Sequence, residues 1–343
     1  MPHSLQLGID RNRRFKLASR PVGTPTRDTW SFVTEPVTEP ETGEVLVRSL
    51  FLSLDPAMRG WMNDEKSYLP PVGIGEVMRA TGIGKVVSSL DPDFAVGDVV
   101  RGRLNVQDYA VLKGKDLTKL DTTLAPLPLY LSALGMPGMT AYFGLIEIGQ
   151  PKAGETVVVS GAAGAVGVLV GQIAKLLGCR AIGIAGGAEK CVYAVKEMGL
   201  DACIDYKAGE VQGQLRQHCP DGIDVYFDNV GGDILDACLA NLARHARVVI
   251  CGAISQYNSA TGVKGPDNYM SLLVNRARME GFVVFDFAAR YGEAVQRMGD
   301  WLRKGELKSR EDIVEGLETF PETLLRLFTG ENFGKLILKV ADS

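Results

Sequence analysis

Val157-Val-Val-Ser-Gly-Ala-Ala-Gly-Ala-Val-Gly167 is a β-branched run that ends in a glycine-rich turn and opens at once into the helical pattern Val168–Leu177. Strand, turn and helix in immediate succession are the first half of a dinucleotide-binding βαβ unit, in which a pyrophosphate sits on the helix N-terminus. The strict fingerprint is G-x-G-x-x-G. Here Gly161-Ala-Ala-Gly164-Ala-Val-Gly167 places Ala162 where the first glycine would stand. Gly164 still lets the backbone approach a pyrophosphate, and Gly167 lets the helix lie close on the strand. Main-chain N–H groups of Ala165 and Val166 are then free to receive the anion along the helix dipole.

The next strand decides which nucleotide is expected. Sites for NAD end that strand in Asp or Glu, which accepts from the ribose 2′-hydroxyl, whereas a 2′-phosphate needs a cation. Ile182-Gly-Ile-Ala-Gly-Gly187 ends without an acid, and Lys190 follows in the first turn of the next expected helix. Glu189 is the alternative, because a small register change makes it the ribose acid. The balance points to NADPH.

Composition narrows the class. A chain of 343 residues is long enough for two domains and a large core. Its net charge of −4 offers no basic field for nucleic acid or an anionic membrane, and Arg11-Asn-Arg-Arg14 is too short a run to build on. The stretch Met1–Asp10 has no apolar core of signal-peptide length, and no apolar run reaches the roughly 18–20 residues that span a bilayer. Six cysteines lie at least twelve residues apart with no C-x-x-C, so neither a zinc ribbon nor a redox dithiol is expected. Cys179, Cys203 and Cys251 fall in apolar segments, where cysteine acts as a small buried hydrophobe. A cytoplasmic setting is the expectation.

Two rhythms divide the chain. Before about residue 130, short strand candidates (Val45–Leu54, Thr81–Ser88, Asp98–Leu104) alternate with Gly/Pro turns, which suggests a partly closed β-barrel. After it, short apolar strands alternate with helices: Thr156–Ser160, Cys179–Ala185, Ala202–Asp205, Asp224–Asp228 and Arg247–Cys251. Such repeated βα units imply an α/β fold with a doubly wound parallel sheet. Gly281–Phe285 reads as a further strand, with Phe282–Phe285 a candidate dimer seam, Tyr291–Lys304 as a helix, and Gly334–Val340 as a final strand. The expected domains are 1–130 with 305–343, and 131–304.

Absent residues point to the chemistry. Residues 1–178 hold no cysteine and the only histidines are His3, His218 and His245, so the Cys/His zinc arrangement of one dehydrogenase group cannot be copied. The only Tyr-x-x-x-Lys, Tyr109-Ala-Val-Leu-Lys113, lies upstream of the phosphate turn in a strand-like run, and a structural role is the better reading. The substrate must then bring its own electrophile: an enone, an enal or a quinone. Hydride adds to the β-carbon of an enone, charge moves to the carbonyl oxygen, and the protein supplies positioning and hydrogen-bond donors.

Six motifs occur in order: Leu54-Asp-Pro-Ala-Met-Arg-Gly60, Gly135-Met-Pro-Gly-Met-Thr-Ala-Tyr142, Ser160–Gly167, Phe227-Asp-Asn-Val-Gly-Gly232, Cys251-Gly-Ala-Ile-Ser-Gln-Tyr-Asn258 and Asn332-Phe-Gly-Lys335. Together they resemble the zinc-independent medium-chain dehydrogenase/reductases. The nearest branch holds leukotriene B4 12-hydroxydehydrogenase/prostaglandin reductase, the alkenal double-bond reductases and the bacterial curcumin reductases. That resemblance implies a GroES-like β-barrel catalytic domain with a Rossmann domain, a homodimer, NADPH as cofactor and a small-molecule enone or enal as substrate. It also implies that Lys190 and Tyr206 contact the 2′-phosphate and that Asn229 and Asn332 lie beside the cofactor. Thr140 falls at the nicotinamide end, and Tyr257 near the substrate as a donor to its carbonyl. Many relatives carry tyrosine where Ala57 stands here, so pocket size and proton donor do not transfer directly. Arg59 reads as structural, through a salt bridge.

Overall fold

The structure, a computed structural model, describes residues 10–342, so the signal-peptide reading of the N-terminus and His3 lie outside the described residues. The chain divides into two compact units. One takes the described part of Met1–Leu131 with Asp312–Glu331 and Leu336–Ser343; the other takes Ser132–Glu311 and Asn332–Lys335. Residues 305–311 and 332–335, expected with the β-rich part, therefore go with the second unit.

In the first unit, β1 (Arg11–Leu17) and β2 (Trp30–Pro36) form an antiparallel pair that runs from Leu17 opposite Trp30 to Arg11 opposite Pro36. The axis of the larger sheet is β3 (Glu44–Ser53), a ten-residue strand whose apolar run is buried almost throughout. It is followed by α1 (Ala57–Trp61), β4 (Gly82–Ser89), β5 (Val99–Gly102), β6 (Tyr109–Lys113) and β7 (Thr118–Lys119). Arg59 of α1 is buried, and its guanidinium donates to the carbonyls of Gly23 and Pro21 and to Asn63 Oδ1. The structural reading of Arg59 thus rests on these main-chain and amide acceptors. Tyr109 lies on β6, and its main chain exchanges hydrogen bonds with the Asn12 amide.

The second unit begins with α2 (Met136–Phe143), then β8 (Thr156–Ser160), α3 (Gly167–Leu176), β9 (Arg180–Ala185), α4 (Ala188–Lys196) and β10 (Ala202–Asp205). It continues through α5 (Val211–His218), β11 (Ile223–Asp228), α6 (Gly232–Leu239), β12 (Leu242–Ile250), α7 (Met270–Asn275), β13 (Arg278–Gly281) and α8 (Tyr291–Arg303). The six strands are parallel in the order β10-β9-β8-β11-β12-β13. This is the doubly wound Rossmann order, whose switch point lies between the first and fourth strands, here β8 and β11. One face is an apolar cluster of Val158, Ile182, Ile204, Tyr226 and Val248 with Leu215 of α5 and Leu239 of α6.

One expectation needs correction. The last strand is Arg278–Gly281, not Gly281–Phe285. Phe282 turns its ring into the gap at Gly144, where a Cβ would lie 2.5 Å from it, and Phe287 stacks on Phe143 at 4.9 Å. Those aromatic contacts draw the chain off the sheet into a 3-10 segment, Val284–Arg290. The chain then returns to the first unit through β14 (Glu311–Glu315), α9 (Phe320–Thr329) and β15 (Lys335–Lys339). The larger sheet there runs β14-β15-β3-β4-β5-β7, with β6 also on β3. Among the described residues its end strands do not pair with each other, so the sheet is not closed by hydrogen bonds, in keeping with the partly closed barrel expected. β7 is two exposed residues long and offers little edge to pair.

Arg247 ties the parallel sheet across its lower end. It donates to the carbonyls of Gly149 and Gln150 and pairs with Glu155, which precedes β8. Burial raises the Glu155 carboxyl, but Arg247 and the Lys152 N–H outweigh it and hold the group below its ordinary value. An unfolded glutamate titrates near 4.3. The contribution is therefore present above that pH and lost as pH falls through the lower folded value. Arg247→Met should cost roughly 2 kcal/mol at neutral pH, less than the 3–5 kcal/mol of a fully buried pair because both groups keep some solvent contact. Urea midpoints of the variant and the parent should converge as pH is lowered below the ordinary glutamate range.

Candidate active site

The phosphate turn is built by close approach. β8 is buried at Val157, Val158 and Val159, so the chain must turn sharply as it leaves the sheet. Gly161 takes φ +62°, and the Gly164 N–H returns to its carbonyl at 2.8 Å. α3 starts so near this turn that a Cβ on Gly167 would stand 2.2 Å from the Gly161 oxygen. Ala162, in place of the fingerprint's first glycine, is buried; a Cβ on Gly183 would lie 2.8 Å from its methyl. The missing glycine is thus matched by one on the neighbouring strand. No side chain caps α3, and among the described residues the Ala165 and Val166 N–H groups have no acceptor. An open helix N-terminus with its dipole and a glycine cradle fits a dinucleotide phosphate.

Behind the turn, Asp228 ends β11 with a buried carboxylate. Its Oδ1 accepts from Ser160 Oγ at 2.9 Å, the Tyr226 hydroxyl at 2.7 Å, and the Val230 and Gly231 N–H groups at 2.9 Å each. Its carbonyl accepts from the Cys251 and Gly252 N–H groups. Burial pushes this carboxyl above its ordinary value against the pull of those donors. Asn229 is stitched to the same place: its N–H donates to Ser160 Oγ, and its Nδ2 donates to the Ser160 carbonyl at 2.7 Å. The carbonyls of Asn229 and Val230 accept from Ile254 and Ser255, which carries the loop after β12 to Tyr257. The Tyr257 oxygen accepts the Ala253 N–H at 3.1 Å and lies over Gly252.

The segment Asn332–Lys335 closes the other side. Gly334 pairs with Gly164, donates to the Ala163 carbonyl at 2.8 Å, and takes φ +80°. Lys190, half-buried in the first turn of α4, donates from Nζ to the Asn332 carbonyl at 2.7 Å. Glu189 beside it is exposed, so the cation and not the acid is drawn to the turn. The Tyr206 hydroxyl lies over Gly186 at the end of β9, 2.7 Å from where a Cβ would be. Asp205, the nearby acid, is occupied by the Gly187 and Lys207 N–H groups.

The fold therefore gathers Gly164, Ala165, Val166, Gly167, Lys190, Tyr206, Asn229 and Asn332 at one end of the sheet, with Tyr257 on the adjoining loop. Thr140 sits on α2 with its hydroxyl donating to the Met136 carbonyl at 2.8 Å. Sequence reasoning missed the roles of Asp228 and Ser160. The available signal was an acid ending the apolar run Ile223–Asp228 directly before Asn-Val-Gly-Gly. Of the cysteines, Cys179 is buried as expected, but Cys203 and Cys251 are only partly so. Cys191 of α4 and Cys203 of β10, twelve residues apart, hydrogen-bond each other, and that contact holds the Cys191 thiol down. A dithiol contact thus exists without a C-x-x-C.

Asp228→Ala strands two hydroxyls and two N–H groups and should cost about 3 kcal/mol or more. Asp228→Asn, which keeps an acceptor, should cost less; thermal unfolding compares them. Gly167→Ala should lower both stability and nucleotide affinity, read by thermal unfolding with and without NADPH.

A family model described as the N-terminal domain of oxidoreductase matches residues 13–120, and one described as zinc-binding dehydrogenase matches residues 165–300. The metal in that description has no fitting donor set here. Among the described residues no three His, Cys, Asp or Glu side chains are grouped to hold an ion. The chain is 46% identical over 336 residues to the NADPH-dependent curcumin reductase of Escherichia coli, covering 96% of this chain and 97% of that one. It is 42% identical over 303 residues to the NADP-dependent 2-alkenal reductase of Nicotiana tabacum, covering 88% of each. CurA of Vibrio vulnificus, solved in complex with NADPH, aligns with a TM-score of 0.92 at 46% identity, over 96% of this chain and all of that one. This chain belongs to the zinc-independent medium-chain dehydrogenase/reductase family, in the enone- and alkenal-reductase branch.

Proposed function

We propose that this chain reduces the C=C bond of α,β-unsaturated aldehydes and ketones with NADPH. The observation that carries the reading is Lys190 held against Asn332 at the mouth of an uncapped phosphate turn, on the same frame that fixes the Tyr257 hydroxyl. The likeness to curcumin and alkenal reductases supports the substrate class. When bound, the cofactor supplies a hydride for the β-carbon of the enone.

The chain's own part is binding and charge stabilisation. Ala165 and Val166 N–H groups, with Gly164 and Gly167 giving room, hold the pyrophosphate along the α3 dipole. Lys190 and Tyr206 recognise the 2′-phosphate, and Asn229 and Asn332 flank the nucleotide. Tyr257, whose oxygen already accepts from Ala253, donates its proton in a hydrogen bond to the substrate carbonyl as negative charge gathers there. The α-carbon takes its proton from water or from Tyr257. A quinone is the second candidate substrate, favoured by a TM-score of 0.76 at 25% identity to a Pseudomonas syringae quinone oxidoreductase.

Two further assignments belong to this reading. The chain forms a homodimer, supported by the edge strand β13, whose four residues are all exposed, and by exposed Leu273, Val274 and Phe285 beside it in sequence. It works in the cytoplasm, in keeping with six free thiols; no helix among the described residues is long and apolar enough to cross a membrane.

The test is consumption of NADPH and NADH with a medium-chain enone, with product analysis. Saturated ketone formed with a strong NADPH preference is expected; oxidation of NADPH only with quinones would overturn the enone reading. Tyr257→Phe should lower kcat about 10- to 100-fold with NADPH affinity nearly intact. Unchanged turnover would remove Tyr257 from the donor role. Lys190→Ala should erase most of the preference for NADPH over NADH, seen in the ratio of kcat/KM values.

A further inference from the structure

Beside the assigned residues lies an aromatic and cationic cluster that the mechanism does not use. Tyr193 of α4 meets Phe333 edge-on, with ring centroids 4.6 Å apart and an interplanar angle of 74°. The Arg310 guanidinium lies 3.7 Å from the Phe333 centroid and 5.0 Å from that of Tyr193. Lys190 Nζ stands 5.9 Å from the Phe333 centroid while it donates to the Asn332 carbonyl. Two cations are thus gathered on one ring, and among the described residues Arg310 forms no salt bridge with a carboxylate. Arg310 also holds the backbone of this segment. Its carbonyl accepts the Lys335 N–H at 2.8 Å and stands 2.1 Å from where a Gly334 Cβ would be.

The negative face of an aromatic ring attracts ammonium and guanidinium groups. A lysine on its flexible four-carbon stem loses rotamer freedom when it captures a phosphate. A lysine already held by a ring and a carbonyl has given up that freedom beforehand, which improves affinity for the anion it serves.

We propose that Phe333, held between Tyr193 and Arg310, is a positioning residue that sets discrimination for the 2′-phosphate by preorganising Lys190. The inference rests on the NADPH reading above and deepens it. It concerns how the cation is held, through residues assigned to no part of the binding site.

Calorimetric titration of the full chain with adenosine 2′-monophosphate and adenosine 5′-monophosphate tests it without turnover. The parent should favour the 2′-phosphate. Phe333→Leu should weaken 2′-phosphate binding roughly three- to thirty-fold, the range of one cation–π contact, and leave the 5′-phosphate within about twofold. Phe333→Tyr keeps the ring and should restore the parent ratio. Arg310→Gln alters only an exposed side chain, stays informative if Phe333→Leu folds poorly, and should shift the ratio in the same direction by a smaller factor. A ratio unchanged in both Phe333→Leu and Arg310→Gln, or equal weakening of both nucleotides, overturns the positioning role while the NADPH reading stands. A parent that shows no preference overturns the NADPH reading itself, and this inference with it.

Discussion

One carboxylate oxygen organises the nucleotide end of the second unit. Asp228 Oδ1 accepts from Ser160 on β8, Tyr226 on its own strand, and two N–H groups of the turn that follows. Buried charge is costly unless its lone pairs are engaged, and four donors supply that engagement. The two strands so joined are the ones between which the winding of the sheet reverses, where open α/β sheets bind their ligands. Asn229, the turn after it and the loop that carries Tyr257 all hang from this point through main-chain hydrogen bonds. The amide proposed to flank the cofactor and the proposed proton donor therefore share one support.

Around that support the site is shaped by what small residues leave empty. Gly167 admits the Gly161 carbonyl to within a distance that a side chain would forbid, and so brings the α3 N-terminus up to the turn. Gly334 does the same for a chain segment that arrives from far along the sequence, threading between Arg310 and the turn. Both approaches position main-chain groups instead of side chains, which suits a ligand recognised chiefly through its phosphates. In the proposed reading, discrimination among nucleotides then falls to the few side chains at the rim: Lys190, Tyr206 and the ring beneath the lysine.

Local signals carried much of this reading. The β-branched run before Gly161 and the apolar helix after Gly167 made the βαβ unit legible, because periodicity and turn chemistry are written in neighbouring residues. Strand limits within the parallel sheet came within a few residues wherever both faces were apolar. The misplaced strand at Gly281–Phe285 shows the limit of that logic. Phe282 and Phe287 look like strand residues by composition, yet their rings are claimed by Gly144 and Phe143, more than a hundred residues away. How far the first unit's sheet closes likewise depends on pairing between strand ends that no local pattern encodes.

By itself the sequence determined the parallel α/β unit, its phosphate turn, the lack of an acid after β9 and the absence of a Cys/His zinc set. Each depends only on which residues are adjacent. Tertiary structure alone decided that Asp228 would bind Ser160, that Lys190 rather than Glu189 would turn to the cradle, and that Phe333 would lie under it. It also brought Cys191 to Cys203. Those outcomes are set by contacts between segments distant in the chain, where burial, close approach and charge compete, and no run of neighbouring residues records the winner.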